Sequence, residues 1–422
     1  MKNKRAFLKN EYIYSLIIKG CMVIVGLLES VLLARYLGAE LRGNLSYIYS
    51  LSSTIYLILT FGIYTIYPFL RKKSEQPVQN IINEFMTITS VIFIFYFIVC
   101  MCCGFYIYKF SEITSLILFM IPFMGYDKIS SFVFMIENPN RTNYISLLAN
   151  IIQCLFLVFC MLFFTKSLIA GCCFYILGCT IKSIYCTYKL NCKLNLKLFS
   201  FSLLWNYIKF GFFPMIALLL TTLNYRLDVI MLGQYSYISL SQIGIYSIGI
   251  GLSEKSLLVP DTIKEVLLSK LAKGKGENEV AKVMRLCFAA SILTAVFIQL
   301  LGEIIIEVLY GKEYSGAEMV TYISVWGTVF MVFFKMISQY NVIQHKQHLN
   351  VIFLLVSIIV NFFVNLLLIP YFGISGAAVA TVIGYIISSI IFLIYFKKVS
   401  GIPIRKMMIP QKEDVIFLKK IR

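Results

Sequence analysis

Along the chain, apolar positions fall in blocks of about 20 or more residues, the length a helix needs to cross a hydrocarbon core of roughly 30 Å. Short polar stretches holding Lys, Arg, Asn or Gly close each block. The pattern predicts twelve spans, at 11–37, 44–69, 85–108, 113–136, 142–164, 167–188, 207–233, 241–268, 283–309, 315–341, 349–370 and 374–396. The eighth is the least apolar. Within a bilayer, each segment must bond its own backbone N–H and C=O groups, so the spans are helices and the fold class is all-α integral membrane. No loop is long enough for a soluble domain; the longest are 70–84, 189–206 and 269–282. Several spans carry helix breakers: Pro122 and Gly125 in the fourth, Gly211 and Pro214 in the seventh, and Gly249, Gly251 and Pro260 in the eighth. Breaks of this kind free backbone groups to line a cavity or act as hinges, or else serve packing alone.

Composition agrees with this pattern. Of the residues, 59% are hydrophobic and 14% charged, with mean hydropathy +0.84; a soluble domain is about a quarter charged. The net charge of +18 would suggest nucleic acid in a soluble chain, but here the basic residues sit at the ends of the apolar blocks. Outside the spans or at their edges (Arg35 and Arg285), 25 Lys and Arg fall on the side of the termini and 5 on the opposite side. That asymmetry predicts both termini in the cytoplasm of a multi-pass plasma-membrane protein. Lys2, Lys4 and Arg5 before an apolar stretch resemble a signal peptide, but no small-x-small cleavage site follows, so the stretch reads as a retained first span.

Other chemistries find no support. No Gly-x-x-x-x-Gly-Lys-Ser/Thr loop is present, so nucleotide is not the energy source. With two histidines, His345 and His348, no nucleophile triad or metal site is legible. The twelve cysteines lie mostly inside apolar blocks, without zinc-like spacing. The expectation is no cofactor, no metal and no catalytic residue. Short loops on the outer side also argue against a membrane glycosyltransferase or polymerase.

A charge near the bilayer centre costs on the order of 3 kcal/mol or more, so intramembrane charges are the candidate functional residues. The deep set is Lys19, Glu29, Asp127, Lys128, Arg226, Asp228, Glu254, Lys255 and Lys335; Lys182, Lys209 and Lys264 lie nearer span ends and can snorkel. The plain alternative is that these charges are ion pairs between helices, with Asp228 meeting Arg226 or Lys255.

A weak repeat marks two halves. Tyr36-Leu37-Gly38 ends the first span and Gly43-Asn44-Leu45-Ser46-Tyr47 follows; Met231-Leu232-Gly233 ends the seventh and Gly244-Ile245-Tyr246-Ser247 follows. This divides the chain into an N-terminal lobe, 1–200, and a C-terminal lobe, 201–422, of six spans each. Leu33-Ala34-Arg35-Tyr36-Leu37-Gly38 with Arg42-Gly43 resembles the first-loop motif of the polysaccharide transporter family. This family includes the O-antigen and capsule repeat-unit flippases, within the superfamily of multidrug exporters and the peptidoglycan-precursor flippase. Tyr225 to Gly233 resembles its seventh-span motif; Asn365 to Pro370, Phe372-Gly373-Ile374 and Gly376 to Thr381 resemble its eleventh-to-twelfth-span turn.

The resemblance implies two six-helix lobes in a V with alternating access. It also implies flipping of an undecaprenyl-pyrophosphate-linked oligosaccharide for surface polysaccharide, with membrane lipids, a polysaccharide polymerase and a chain-length regulator as partners. On that basis Lys19, Lys128, Arg226, Lys255 and Lys335 are the residues expected to hold the pyrophosphate, with Glu29, Arg35, Asp127, Asp228 and Glu254 orienting them. A cation-coupled multidrug exporter of the same fold is the rival reading.

Overall fold

The computed structural model describes residues 2–73, 76–272, 276–344 and 346–411; its regular structure is entirely helical. The helices are α1 (Lys2–Leu59), α2 (Tyr67–Lys73), α3 (Val78–Ile107), α4 (Glu112–Glu137), α5 (Pro139–Phe163), α6 (Leu168–Lys189), α7 (Phe201–Leu232), α8 (Leu240–Ser253), α9 (Leu258–Ala272), α10 (Glu277–Leu309), α11 (Ala317–Ile343), α12 (Gln347–Ser400) and α13 (Ile404–Met408). Nine helices among the described residues are long and apolar enough to cross a membrane. Two of them, α1 and α12, contain a non-helical glycine, Gly38 (φ 75°) and Gly373 (φ 55°). An L side chain is strained at such φ values, so glycine allows the turn between two spans. Counting each as two spans, and α8 with α9 as one broken span, gives the twelve predicted from hydropathy. Lipid-facing Phe105, Phe110, Leu162 and Leu300 are largely exposed, as an apolar solvent permits. His348 is exposed, and His345 lies outside the described residues.

The chain forms two compact units, Met1–Leu219 and Leu220–Arg422, with the division inside α7. Each has one central span. In the N-terminal unit α4 packs on α1, α3, α5 and α6, and 61% of its most apolar window is buried. In the C-terminal unit α11 packs on α8, α9, α10 and α12, with 78% buried, against 22% for the peripheral α10. Apolar clusters stack along these spans. On α4, Met120 and Met124 belong to one cluster and Ile129 and Val133 to another. On α12, Ile369 and Ala377 belong to one, Leu354 and Tyr385 to another. Polar side chains collect at the seams.

The breaks are only partly where the sequence places them. Span eight breaks as expected: residues 254–257 form a 3-10 turn between α8 and α9. Hydroxyls of neighbouring helices satisfy it, with Thr328 donating to the Ser253 carbonyl (3.3 Å), Ser291 to the Ser256 carbonyl (3.4 Å), and the Ser256 and Thr328 hydroxyls 2.7 Å apart. By contrast α4 runs unbroken through Pro122 and Gly125, and α7 through Gly211 and Pro214. Those glycines serve packing. A Cβ on Gly125 would lie 2.5 Å from the Phe93 ring, and one on Gly211 would lie 2.3 Å from the Phe61 carbonyl oxygen. The opposing break is in the second span, where Phe61 (φ 47°) and Gly62 (φ 61°) interrupt the helix against α7. Hydropathy alone runs that span unbroken to residue 69.

Candidate functional site

In the N-terminal unit, α4 carries Asp127 and Lys128 into the polar seam. Asp127 is buried and bonds Lys182 of α6 (Oδ2 to Nζ, 2.9 Å), while Ser131 one turn further on donates to its other oxygen (2.8 Å). Lys182 therefore does not snorkel to a span end: it is the ion partner of a buried carboxylate. Lys128 makes no carboxylate bond among the described residues; its ammonium lies over the Tyr64 ring at 5.6 Å, a cation–π contact. Glu29 on α1 is partly buried and lies in the electrostatic reach of Cys154 on α5. Arg35 is exposed. The side chain of Lys19 lies outside the described residues.

In the C-terminal unit the candidates converge. The 3-10 turn after α8 presents Glu254 and Lys255, α7 presents Tyr225 and Arg226, and α11 presents Lys335. Glu254 feels the charges of Arg226, Lys255 and Lys335. Lys335, buried on the central span, bonds Asp261 of α9 (2.7 Å) and lies over the Tyr225 ring (5.7 Å). Lys264 bonds the same Asp261 oxygen (2.8 Å). Four cations, Arg226, Lys255, Lys264 and Lys335, therefore surround two carboxylates, Glu254 and Asp261. The Asp261 side chain is 39% exposed, so the cluster is open to water or to an anionic ligand. Sequence reasoning misses Asp261, though it lies within the predicted eighth span.

Asp228 departs from expectation. It pairs neither with Arg226 nor with Lys255. Four neutral donors hold it: Asn361 (3.1 Å) and Asn365 (2.8 Å) on Oδ1, and Tyr246 (3.0 Å) and Thr381 on Oδ2. The reason is geometric. Asp228 lies two residues beyond Arg226 on α7, and residues two apart on a helix point to different faces. Asn361 and Asn365, one turn apart on α12, both reach the Asp228 face. The side-chain carbonyl oxygen of Asn365 is buried there without a hydrogen-bond partner. No cluster of three or more His, Cys, Asp or Glu side chains occurs among the described residues.

These features define a multi-pass helical membrane protein whose buried charges gather at a polar seam within each unit. Residues 257–419 match the family model for the lipid II flippase MurJ. No curated protein matches the chain. Among solved structures it is similar to a lipid II flippase MurJ in an inward closed conformation, at 16% identity over 94% of this chain and 88% of that one, with TM-score 0.71. It is also similar to an inward-facing multidrug resistance transporter of the MATE family and MOP superfamily, at 12% identity over 92% of this chain and 98% of that one, with TM-score 0.69. A third likeness is to the MATE multidrug transporter DinF-BH, at 13% identity over 96% of each chain, with TM-score 0.64. The chain has the fold of these transporters.

Proposed function

We propose that the protein flips a polyprenyl-pyrophosphate-linked saccharide across the membrane, most specifically the repeat unit of a surface polysaccharide. The observation that carries this reading is the surplus of cations over carboxylates among Arg226, Lys255, Lys264, Lys335, Glu254 and Asp261. A drug exporter for cationic compounds has no use for such a surplus, whereas a pyrophosphate headgroup is held by it. The match of residues 257–419 to the lipid II flippase model supports a lipid-linked cargo. Asp261, Lys264 and Lys335 fall inside that match, while Arg226, Glu254 and Lys255 precede it. Transport rather than bond-making catalysis is what both the fold and this chemistry support. Lipid II is the alternative cargo of the same headgroup chemistry.

Energy enters through Asp228 in this proposal. A carboxylate surrounded by neutral donors inside a membrane is stabilised by taking up a proton or a monovalent cation, because bare charge is costly there. Uptake from one side and release to the other would couple the flipping cycle to an ion gradient.

Complementation tests the cargo. The gene is placed in a strain lacking its repeat-unit flippase and in a strain depleted of its lipid II flippase, and surface glycan and growth are measured. Restored surface glycan supports the repeat-unit reading. Restored growth on lipid II flippase depletion moves the cargo to lipid II, and drug resistance with neither rescue overturns the proposal.

A further inference from the structure

A groove runs down the outside of the N-terminal unit between α3, α4 and α6. Its deep part, about 320 Å³, is walled by Phe93, Phe97, Pro122 and Phe123. Its mouth, about 440 Å³, is lined by Ser183, Thr187, Tyr188 and Asn191. Tyr126, Ser183 and Ile184 belong to both parts, so the groove is continuous. One face of α6 supplies much of the wall, from Thr180 to Tyr188, a rise of about 12 Å at 1.5 Å per residue. That lies within one leaflet, half of a hydrocarbon core of roughly 30 Å. Ile94 and Ile184, on opposite sides of the groove, are 58% and 65% exposed, so it is open to the bilayer.

The mouth is basic and built. From the end of α6 the chain carries exposed Lys189, Lys193 and Lys197, and no Asp or Glu occurs between Glu137 and Asp228. The Lys189 ammonium lies 5.5 Å from the Tyr188 ring centre at the groove mouth. Hydrogen bonds fix the following loop along α3: Gln79 donates to the carbonyls of Leu190 (3.0 Å) and Asn191 (2.9 Å), the Lys193 N–H to Asn83 (2.9 Å), and the Asn195 N–H to Thr87 (3.2 Å). The loop alternates these lysines with exposed Leu194, Leu196 and Leu198. Leucines that dip into acyl chains beside lysines that meet phosphates are the pattern of an interfacial segment. The carboxylate on the adjoining stretch of α3, Glu84, accepts a bond from Tyr207 (3.3 Å).

We propose that this groove is a binding site for one anionic phospholipid, with an acyl chain in the apolar part and the phosphate against Lys189 and Lys193. Basic pockets between spans at the cytoplasmic end of a membrane protein take anionic headgroups, and the lysine count puts this end in the cytoplasm. The groove's one-leaflet depth selects a phospholipid over a polyprenyl carrier, whose chain is longer than a leaflet.

Native mass spectrometry of the full chain, titrated with phosphatidylglycerol, phosphatidylcholine or undecaprenyl phosphate, tests the site. We expect one retained phosphatidylglycerol, and roughly tenfold weaker retention in the Lys189→Gln, Lys193→Gln double variant. Equal retention of phosphatidylcholine, or an unchanged double variant, would overturn the proposal. Displacement of phosphatidylglycerol by an equal concentration of undecaprenyl phosphate would assign the groove to the carrier instead. Should the variant fail to fold, a phosphatidylglycerol with a photoreactive acyl chain decides on the wild type: crosslinks must map to α3, α4 or α6, and crosslinks confined to other helices refute the site.

Discussion

Asp127 and Asp228 are both carboxylates buried within membrane spans, and their surroundings solve the same problem in opposite ways. Asp127 has an ammonium 2.9 Å away and one hydroxyl. Asp228 has two amides, a phenol and an aliphatic hydroxyl, all neutral. The first unit therefore uses a lysine to neutralise its carboxylate. In the second unit Arg226 and Lys255 lie in the electrostatic reach of Glu254, and the groups that bond Asp228 are neutral donors. Under the proposed function, Lys182 is structural in the first unit, whereas the cations of the second hold a ligand.

That contrast is open to direct attack. The largest effect is expected from Arg226→Ala with Lys255→Ala: near-complete loss of surface glycan export with normal expression, and graded loss for each single change. Normal export by the well-expressed double variant would show that these cations, like Lys182, only hold helices together. Next, Lys182→Ala should strip Asp127 of its partner and destabilise the protein by about 3–5 kcal/mol, read by thermal unfolding in detergent. Lys182→Met combined with Asp127→Asn should recover most of that loss, because no uncompensated charge remains. An additive double variant would contradict the pairing.

A smaller stability effect, about 1–3 kcal/mol, is expected for Asp228→Asn, since its neighbours are hydrogen-bond donors rather than an ion. Transport by this variant should lose its dependence on sodium or proton gradients. Retained gradient dependence would remove Asp228 from the coupling role. Ser131→Ala should cost least, about 1 kcal/mol, for the single hydroxyl bond to Asp127. A loss as large as that of Lys182→Ala would mean that the hydroxyl, and not the ammonium, holds the carboxylate.

The pattern of apolar blocks by itself determined the helical class, the number of spans and the positions of the charged residues within them. It did so because a bilayer demands about 20 apolar residues per crossing and leaves the backbone no other structure. It also marked Glu254-Lys255 as a break, since glycines and a proline cluster there. Partnerships were decided only by tertiary structure. Asp127 and Lys182 sit on different helices, Asp228 and Thr381 are 153 residues apart, and nothing in a one-dimensional pattern states which helix faces meet. Sequence proximity puts Asp228 beside Arg226, but the turn of α7 separates them. Asn361 and Asn365 carried a usable signal, two amides at i, i+4 on one face of an apolar span, whereas Asp261 became legible only once Lys335 was seen to reach it. The unbroken course of α4 and α7 through proline and glycine has the same origin: neighbours such as Phe93 and Phe61 fill the space that a smaller residue leaves, and that neighbourhood exists only in the packed molecule.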